Sequence, residues 1–506
     1  MKKEKERGIK AKFNRNADYT LIFVLDAVGM ILELVAARLM SPYFGNSNFV
    51  WTAIIGIILL AGSLGNLIGG RIASSKYPRY IAYILLLFAS VYIAVTPLVD
   101  TVILNSVKEL NTSTQFASVI GSIIFFLIPS TILGIITPII MKEKIGDSED
   151  KGKESGKITA TIALGSLVGT FVGGFWLIPA MGTRMIFVII AMIILTIAAL
   201  LKPLKTIYDI KIRSATVIVK ILVAIIVTVA CFKVGLTNNN EVISIDTEYG
   251  RILVEDGFYN GQPVRFYKQS GAYSSATYTD DEFKYDLVFE YVASYDEMFK
   301  FLDVNDVAMI GGAAYQYPKY FISHFPNKTM DVVEIDPKST EIAKQYFYLD
   351  DLLADYGTDR LGLYNDDGRL FMANGDKKYD AILNDAFSGE VPVAGLSTVE
   401  AVKTIKSRLN KDGVYMSNII GALEGRKGAF LRAEVKTMQQ VFKNVYVVPV
   451  YRHFETDQFI NWMVIATDND KYVPKKVVNV KINDEDIILT DDYNPVDSLV
   501  RTEYFD

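Results

Sequence analysis

Seven long apolar stretches, charged only at their ends, dominate the first half of the chain, at about 19–40, 49–70, 80–99, 117–141, 158–180, 184–201 and 214–235. Each is long enough to cross roughly 30 Å of hydrocarbon as a helix. The first follows a basic leader, lacks a small-residue cleavage site and is succeeded by six more, so it reads as the opening helix of a bundle and not as a signal peptide. Gly62, Gly65 and Gly69 in the second stretch and Gly165, Gly169 and Gly173 in the fifth carry the small-residue spacing that lets helix backbones approach closely. After Lys233 the pattern changes. Alternating segments at 251–257 and 262–268 predict a small antiparallel sheet. Beyond Asp280, buried-strand runs at 307–310, 330–334, 379–383 and 413–418 alternate with amphipathic stretches near 283–300, 337–346, 398–410 and 427–442, and strands at 444–451 and 459–467 follow. Such alternation predicts an α/β doubly wound, mostly parallel sheet with ligands at the carboxyl ends of its strands.

Charge sharpens the division. Up to residue 240 the chain holds 24 Lys and Arg against 13 Asp and Glu, and beyond it 28 against 44. Nineteen of the first set lie in the leader and the 71–79, 142–157 and 202–213 loops, whereas the opposite loops hold only Lys108 and Arg184. The positive-inside rule therefore puts the N-terminus in the cytoplasm. Asp26, Glu33 and Arg38 lie in or at the end of the first span, where isolated charge is costly. Glu33 and Arg38 are expected to pair near one interface, or else to mark a substrate or ion pathway.

The composition also limits the chemistry. With 51% hydrophobic residues the chain is not disordered, and its acidic second half disfavours nucleic acid as a partner. The single Cys231 excludes internal disulfides, cysteine-rich zinc sites and iron-sulfur clusters. Two histidines, His324 and His453, leave little material for a Ser-His-Asp triad or a multi-histidine metal centre. No metal is expected, and the chemistry falls to carboxylates, backbone amides and tyrosines.

Candidates for that chemistry sit at successive strand ends. Gly311 and Gly312 follow the 307–310 strand, where absent side chains let amides approach a ligand. Glu334 ends the next strand, 23 residues after Gly311, the spacing at which a carboxylate meets the ribose hydroxyls of a nucleoside. Asp367 and Gly368 follow a third strand, in a turn suited to an adenine amine. Asp385 follows a fourth, placed to accept a proton from an attacking nucleophile. For each acid taken singly a helix cap or turn role is an equal alternative.

These residues, with the segment Asp281-Glu282-Phe283-Lys284-Tyr285, give residues 245–465 a resemblance to the spermidine synthase (polyamine aminopropyltransferase) family, and the whole chain resembles its membrane-fused bacterial members. The resemblance implies a class I methyltransferase-like Rossmann domain that uses no cofactor or metal. Its donor would be decarboxylated S-adenosylmethionine and its acceptor putrescine, giving spermidine and methylthioadenosine. It also implies that Glu334 binds ribose, Asp367 and Gly368 bind adenine, Asp385 takes the proton of the attacking amine, and Asp281, Glu282 and Tyr285 border the active site. Three positions depart from the family pattern. Ala314 replaces the acid that holds the donor's ammonium, Ser388 replaces the acid that holds the diamine, and Asp286 stands where a histidine usually follows the tyrosine.

The expected organisation is a basic cytoplasmic leader at 1–18, a multi-pass membrane domain of about seven helices at 19–235, an antiparallel β subdomain at 241–280 and a nucleoside-binding α/β domain at 281–506. The expected partners are a nucleoside donor, a diamine, a lipid bilayer and a second copy of the chain. Two other readings stay open: a methyltransferase or lyase-like enzyme using S-adenosylmethionine itself, and a transporter bundle with a regulatory ligand-binding domain. Seven spans place the α/β domain outside the cell, away from cytoplasmic sulfonium donors, so the side of that domain is left open.

Overall fold

The computed structural model describes residues 2–44, 48–108, 110, 114–200, 242–388 and 391–500. The chain forms two compact units, Met1–Asn239 and Asn240–Asp506. The seventh apolar stretch, with Cys231, lies outside the described residues.

The described part of the first unit consists of helices α1 (Lys2–Phe44), α2 (Asn48–Ile72), α3 (Pro78–Lys108), α4 (Thr114–Ser122), α5 (Ile128–Gly146), α6 (Lys151–Val172), α7 (Ile178–Ala180) and α8 (Thr183–Leu200). Five segments are long and apolar enough to cross a membrane, Ala17–Phe44, Asn48–Ile72, Pro78–Lys108, Gln115–Gly146 and Lys151–Leu177, and Thr183–Ala199 is a shorter apolar helix. Single π turns, Ile123–Leu127 and Gly173–Leu177, join α4 to α5 and α6 to α7. Each precedes an Ile-Pro pair, where a widened turn accommodates the missing N–H of proline.

Glycine sets how closely these helices approach. A Cβ on Gly165 or Gly169 of α6 would stand 2.4 and 2.3 Å from the carbonyl oxygens of Phe23 and Ala27 in α1. On Gly65 or Gly69 of α2 it would stand 2.4 and 2.5 Å from those of Thr131 and Ile135 in α5. Gly62 differs, because nothing lies within 4 Å of a Cβ built there.

Ion pairs join different helices of the unit. Asp18 binds Lys144 at 2.9 Å and Arg79 at 3.2 Å, Arg79 binds Glu143 at 2.6 Å, and elsewhere Arg184 reaches Asp100 at 3.4 Å. Glu33 and Arg38, expected to pair, both lie in α1.

The second unit opens with an antiparallel sheet, β1 (Val242–Asp246), β2 (Arg251–Tyr259), β3 (Gln262–Gln269) and β4 (Ala272–Tyr278), in sequential order. The two-residue loop Asn260-Gly261 has φ of 51° and 80°, the left-handed backbone that a tight hairpin turn requires. The main sheet contains β5 (Asp306–Ile310), β6 (Thr329–Glu334), β7 (Leu361–Asn365), β8 (Tyr379–Asn384), β11 (Leu409–Gly421), β12 (Asn444–Pro449) and β13 (Ile460–Thr467), with a two-residue ribbon, β9 (Phe387–Ser388) and β10 (Val391–Pro392), beside it. Its order is β12-β13-β11-β8-β5-β6-β7, and β13 runs antiparallel to both of its neighbours. Alternate residues of β5 serve different cores: Ala308 and Ile310 join one apolar cluster, Val307 and Met309 another.

Helices α9 (Gln316–His324), α10 (Pro337–Tyr346), α11 (Leu349–Tyr356), α12 (Gly368–Asn374), α13 (Val399–Ser407) and α14 (Ala429–Met438) connect these strands. The helix expected near 283–300 forms only over Glu290–Lys300, as a 3-10 winding. Upstream, Asp280 accepts from the Glu282 N–H at 3.0 Å and the Thr277 hydroxyl donates to the Lys284 carbonyl at 2.8 Å; such local bonds compete with a helix. From β5 the connections run to β6 and β7 on one side, and the chain then returns to β8 on the other. A crevice at the carboxyl ends of β5 and β8 follows from that reversal.

The glycine contacts give a direct test of the bundle. Gly169→Ala is expected to destabilise the full chain in detergent by about 1–3 kcal/mol, read as a lower melting temperature, while Gly62→Ala leaves it unchanged. Equal behaviour of the two variants would contradict backbone contact between α1 and α6.

Candidate active site

The crevice is built around the end of β5. Gly311 leaves the strand at φ +92°, and a Cβ there would lie 2.6 Å from the Asp385 carbonyl oxygen. Both the dihedral and the contact exclude a side chain. The Gly311 N–H donates to the Val333 carbonyl at 2.9 Å, and the Asp385 N–H donates to the Ile310 carbonyl at 2.9 Å. The strand end is thereby fixed to β6 on one side and to the residue after β8 on the other.

Glu334 closes the glycine turn. Its Oε2 accepts the N–H groups of Gly312 and Ala313, both at 2.8 Å, and its Oε1 accepts that of Asp336 at 2.9 Å. Burial raises the pKa of this carboxyl, and the three backbone bonds oppose the rise. Three of about four acceptor positions on the carboxylate are thus in use. Asp367 caps α12, its Oδ1 accepting from the N–H groups of Arg369 and Leu370 at 2.8 and 3.0 Å. Gly368 stands against Ile310, whose Cγ2 would be 2.4 Å from an added Cβ.

Asp385 takes the central position. Its Oδ1 accepts from Asn418 Nδ2 at 2.8 Å, its Oδ2 from the Tyr291 hydroxyl at 3.3 Å, and the Asn418 oxygen accepts in turn from Asn461 Nδ2 at 3.0 Å. Burial raises the carboxyl pKa from 3.8 to about 6, and bonds from Asn418, Tyr291 and Tyr295 hold it from rising further. Burial and the facing carboxylate push the Tyr291 phenol well above its ordinary range. Gly311, Gly312, Glu334, Asp367, Gly368 and Asp385 all line one cavity of about 480 Å³.

Other expected positions lie elsewhere. Asp281 and Glu282 are exposed in a turn, and Tyr285 donates to Asp355 at 2.7 Å and packs against Tyr356. None of the three is among the described residues that line the cavity. Tyr291 supplies the phenol there, on the first turn of the 3-10 segment, and Asn418 and Asn461 supply the amides. Asn418 had a legible signal, as a polar residue closing the buried 413–418 run, but nothing in the sequence marks Tyr291 among 29 tyrosines. Ala314 is fully buried with Ile252, Val254, Tyr267, Ile342 and Phe347, and it does not line the cavity either. Ser388 belongs to the short ribbon, and its side chain lies outside the described residues.

A doubly wound sheet in this order, with a glycine turn, an acid ending the adjacent strand and a carboxylate at the reversal point, defines a Rossmann-like domain of the methyltransferase type. Residues 290–474 match the family model of the spermine/spermidine synthase domain. The chain is 25% identical over 183 residues to a polyamine aminopropyltransferase of Methanocaldococcus jannaschii, covering 35% of this chain and 60% of that one. It is 31% identical over 115 residues to a polyamine aminopropyltransferase of Vibrio vulnificus, covering 22% and 36%. A solved structure of a probable spermidine synthase from Corynebacterium glutamicum aligns with a TM-score of 0.39 at 20% identity, over 46% of this chain and 81% of that one. Residues 290–474 of the second unit thus correspond to a spermine/spermidine synthase domain. The chain spans between about a third and three fifths of the length of these two relatives.

The raised pKa of Asp385 has a definite sign for stability. Because the folded-state value lies above the ordinary one, ionisation costs stability; the cost is absent well below pH 3.8 and grows as pH rises through about 6. Asp385→Asn is therefore expected to raise the melting temperature at pH 8 relative to the unmodified chain, with the gap narrowing toward pH 4. A gap that widens toward low pH would contradict a carboxylate held against its own desolvation.

Proposed function

We propose that this protein is a membrane-anchored polyamine aminopropyltransferase that moves the aminopropyl group of decarboxylated S-adenosylmethionine to putrescine, yielding spermidine and methylthioadenosine. The observation that carries this reading is Asp385. It is a carboxylate at the reversal point of the sheet, held from two sides by Asn418 and Tyr291, and it shares a cavity with Glu334 and Asp367.

In this reading the adenosyl group lies along the ends of β5, β6 and β7. Glu334 accepts from ribose through its remaining acceptor capacity, and Asp367 and Gly368 meet adenine. The amine attacks the propyl carbon bonded to sulfur. A C–N bond forms, the C–S bond breaks with its electron pair going to sulfur, and the ammonium that results gives a proton to Asp385. A sulfonium is already an activated leaving group, so the protein's share is orientation and proton transfer. The acidic second half, 28 Lys and Arg against 44 Asp and Glu, favours the approach of a polycation. The five membrane-length helices support a multi-pass anchor, and a homodimer is the proposed assembly.

A second reading, S-adenosylmethionine as donor, draws on one observation. Ala314, the position of the missing donor-binding acid, is buried among apolar side chains.

The full chain in detergent, given decarboxylated S-adenosylmethionine and putrescine, is expected to release methylthioadenosine, and Asp385→Asn to lose at least about a hundredfold of that rate. Turnover should rise with pH through an acid limb near the Asp385 value of about 6. Tyr291→Phe removes a bond that favours the carboxylate, so it should move the limb to higher pH. Turnover of S-adenosylmethionine alone would favour the second reading, and failure to turn over or bind either sulfonium would sink both.

A further inference from the structure

The segment that follows residue 474, the end of the family match, returns to the cavity rim. Leu489 and Val496 are fully buried in the core that β5 and β11 share, and the Leu489 carbonyl accepts from the Val399 N–H at 2.9 Å. Between them, Asp491 holds Arg369 bidentately, Nη1 to Oδ1 at 2.8 Å and Nη2 to Oδ2 at 2.5 Å. The same Oδ1 accepts from the Thr398 hydroxyl at 2.7 Å, and the Asp491 N–H donates to Glu400 Oε2 at 3.0 Å. Arg369 also donates to the Gly395 carbonyl at 3.0 Å, and Asn494 Nδ2 to that of Ala394 at 2.7 Å. Arg369, Gly395 and Leu396 line the cavity beside Asp367 and Gly368. An exposed ion pair is ordinarily worth little, but a bidentate one inside a network fixes geometry.

We infer that Asp491 is a positioning residue for the donor: it holds Arg369 against the 394–398 wall beside the adenine end of the cavity and neutralises a cation whose charge would otherwise act across the same cavity against a cationic sulfonium. The inference rests on the proposed nucleoside donor. Its distinctive consequence is selectivity by charge. Removing the Asp491 carboxylate leaves Arg369 without its bidentate partner, which opposes a sulfonium more than a neutral thioether of the same shape.

The test uses the full chain in detergent and measures KM for decarboxylated S-adenosylmethionine, Kd for methylthioadenosine, and KM for putrescine. Asp491→Asn is expected to raise the sulfonium KM about tenfold and the methylthioadenosine Kd by less than about threefold, with putrescine KM unchanged and Asp491→Glu restoring most of the loss. Asp486→Asn breaks another anchor of the same segment, its 2.9 Å pair with Arg432. It should lower the melting temperature and leave all three constants alone. If Asp491→Asn does not accumulate, Asp491→Ser, which also removes the charge that neutralises Arg369, should show the same ordering of losses. Equal losses for sulfonium and thioether, or losses matched by Asp486→Asn, would overturn the inference. A wild-type chain that binds no methylthioadenosine would overturn the donor reading together with it.

Discussion

The approach of Gly311 to the Asp385 carbonyl is the contact on which the second unit's chemistry depends. At 2.6 Å from a Cβ position and with φ at +92°, only glycine lets β5 end there and leaves its amides free to turn toward Glu334. That turn brings the β6 acid against the Gly312 and Ala313 N–H groups and leaves the residue after β8 facing the same space. Three strands thus deliver three carboxylates to one cavity because one residue has no side chain. The carboxylates divide by partner. Glu334 and Asp367 are engaged by backbone N–H groups, whereas Asp385 is held by an amide and a phenol and keeps a pKa of about 6, suited to exchanging a proton near neutral pH.

The strand-end residues were legible in the sequence because local rules produce them. The continuous buried runs of β5 and β6 end in glycine and acid, and the spacing from Gly311 to Glu334 is set by one turn, one helix and one strand. Tyr291 was not legible. It reaches Asp385 across a separation of 94 residues, and the helix expected over it begins only at Glu290 because Asp280 and Thr277 hold the preceding segment in local turns. The weight placed on Asp281, Glu282 and Tyr285 came from resemblance, and here Tyr285 is committed to Asp355. Ala314 is instructive in a different way. The family resemblance marks a missing acid, while the structure adds that the position sits in an apolar cluster.

In the first unit the glycine spacing was legible because it follows the helix repeat. Gly165 and Gly169 meet backbone of α1, and Gly65 and Gly69 meet backbone of α5, as small-residue periodicity implies. The ion pairs of Asp18 with Lys144 and Arg79, and of Asp100 with Arg184, join different helices and have no signature in any short window.

The most direct measurement is a structure of the full chain in detergent with methylthioadenosine bound. The expected result is ribose hydroxyls at Glu334, adenine between Asp367 and Gly368, and the thioether sulfur directed toward Asp385. Nucleoside density at another place, or none at saturating concentration, would contradict the account of this cavity as the donor site.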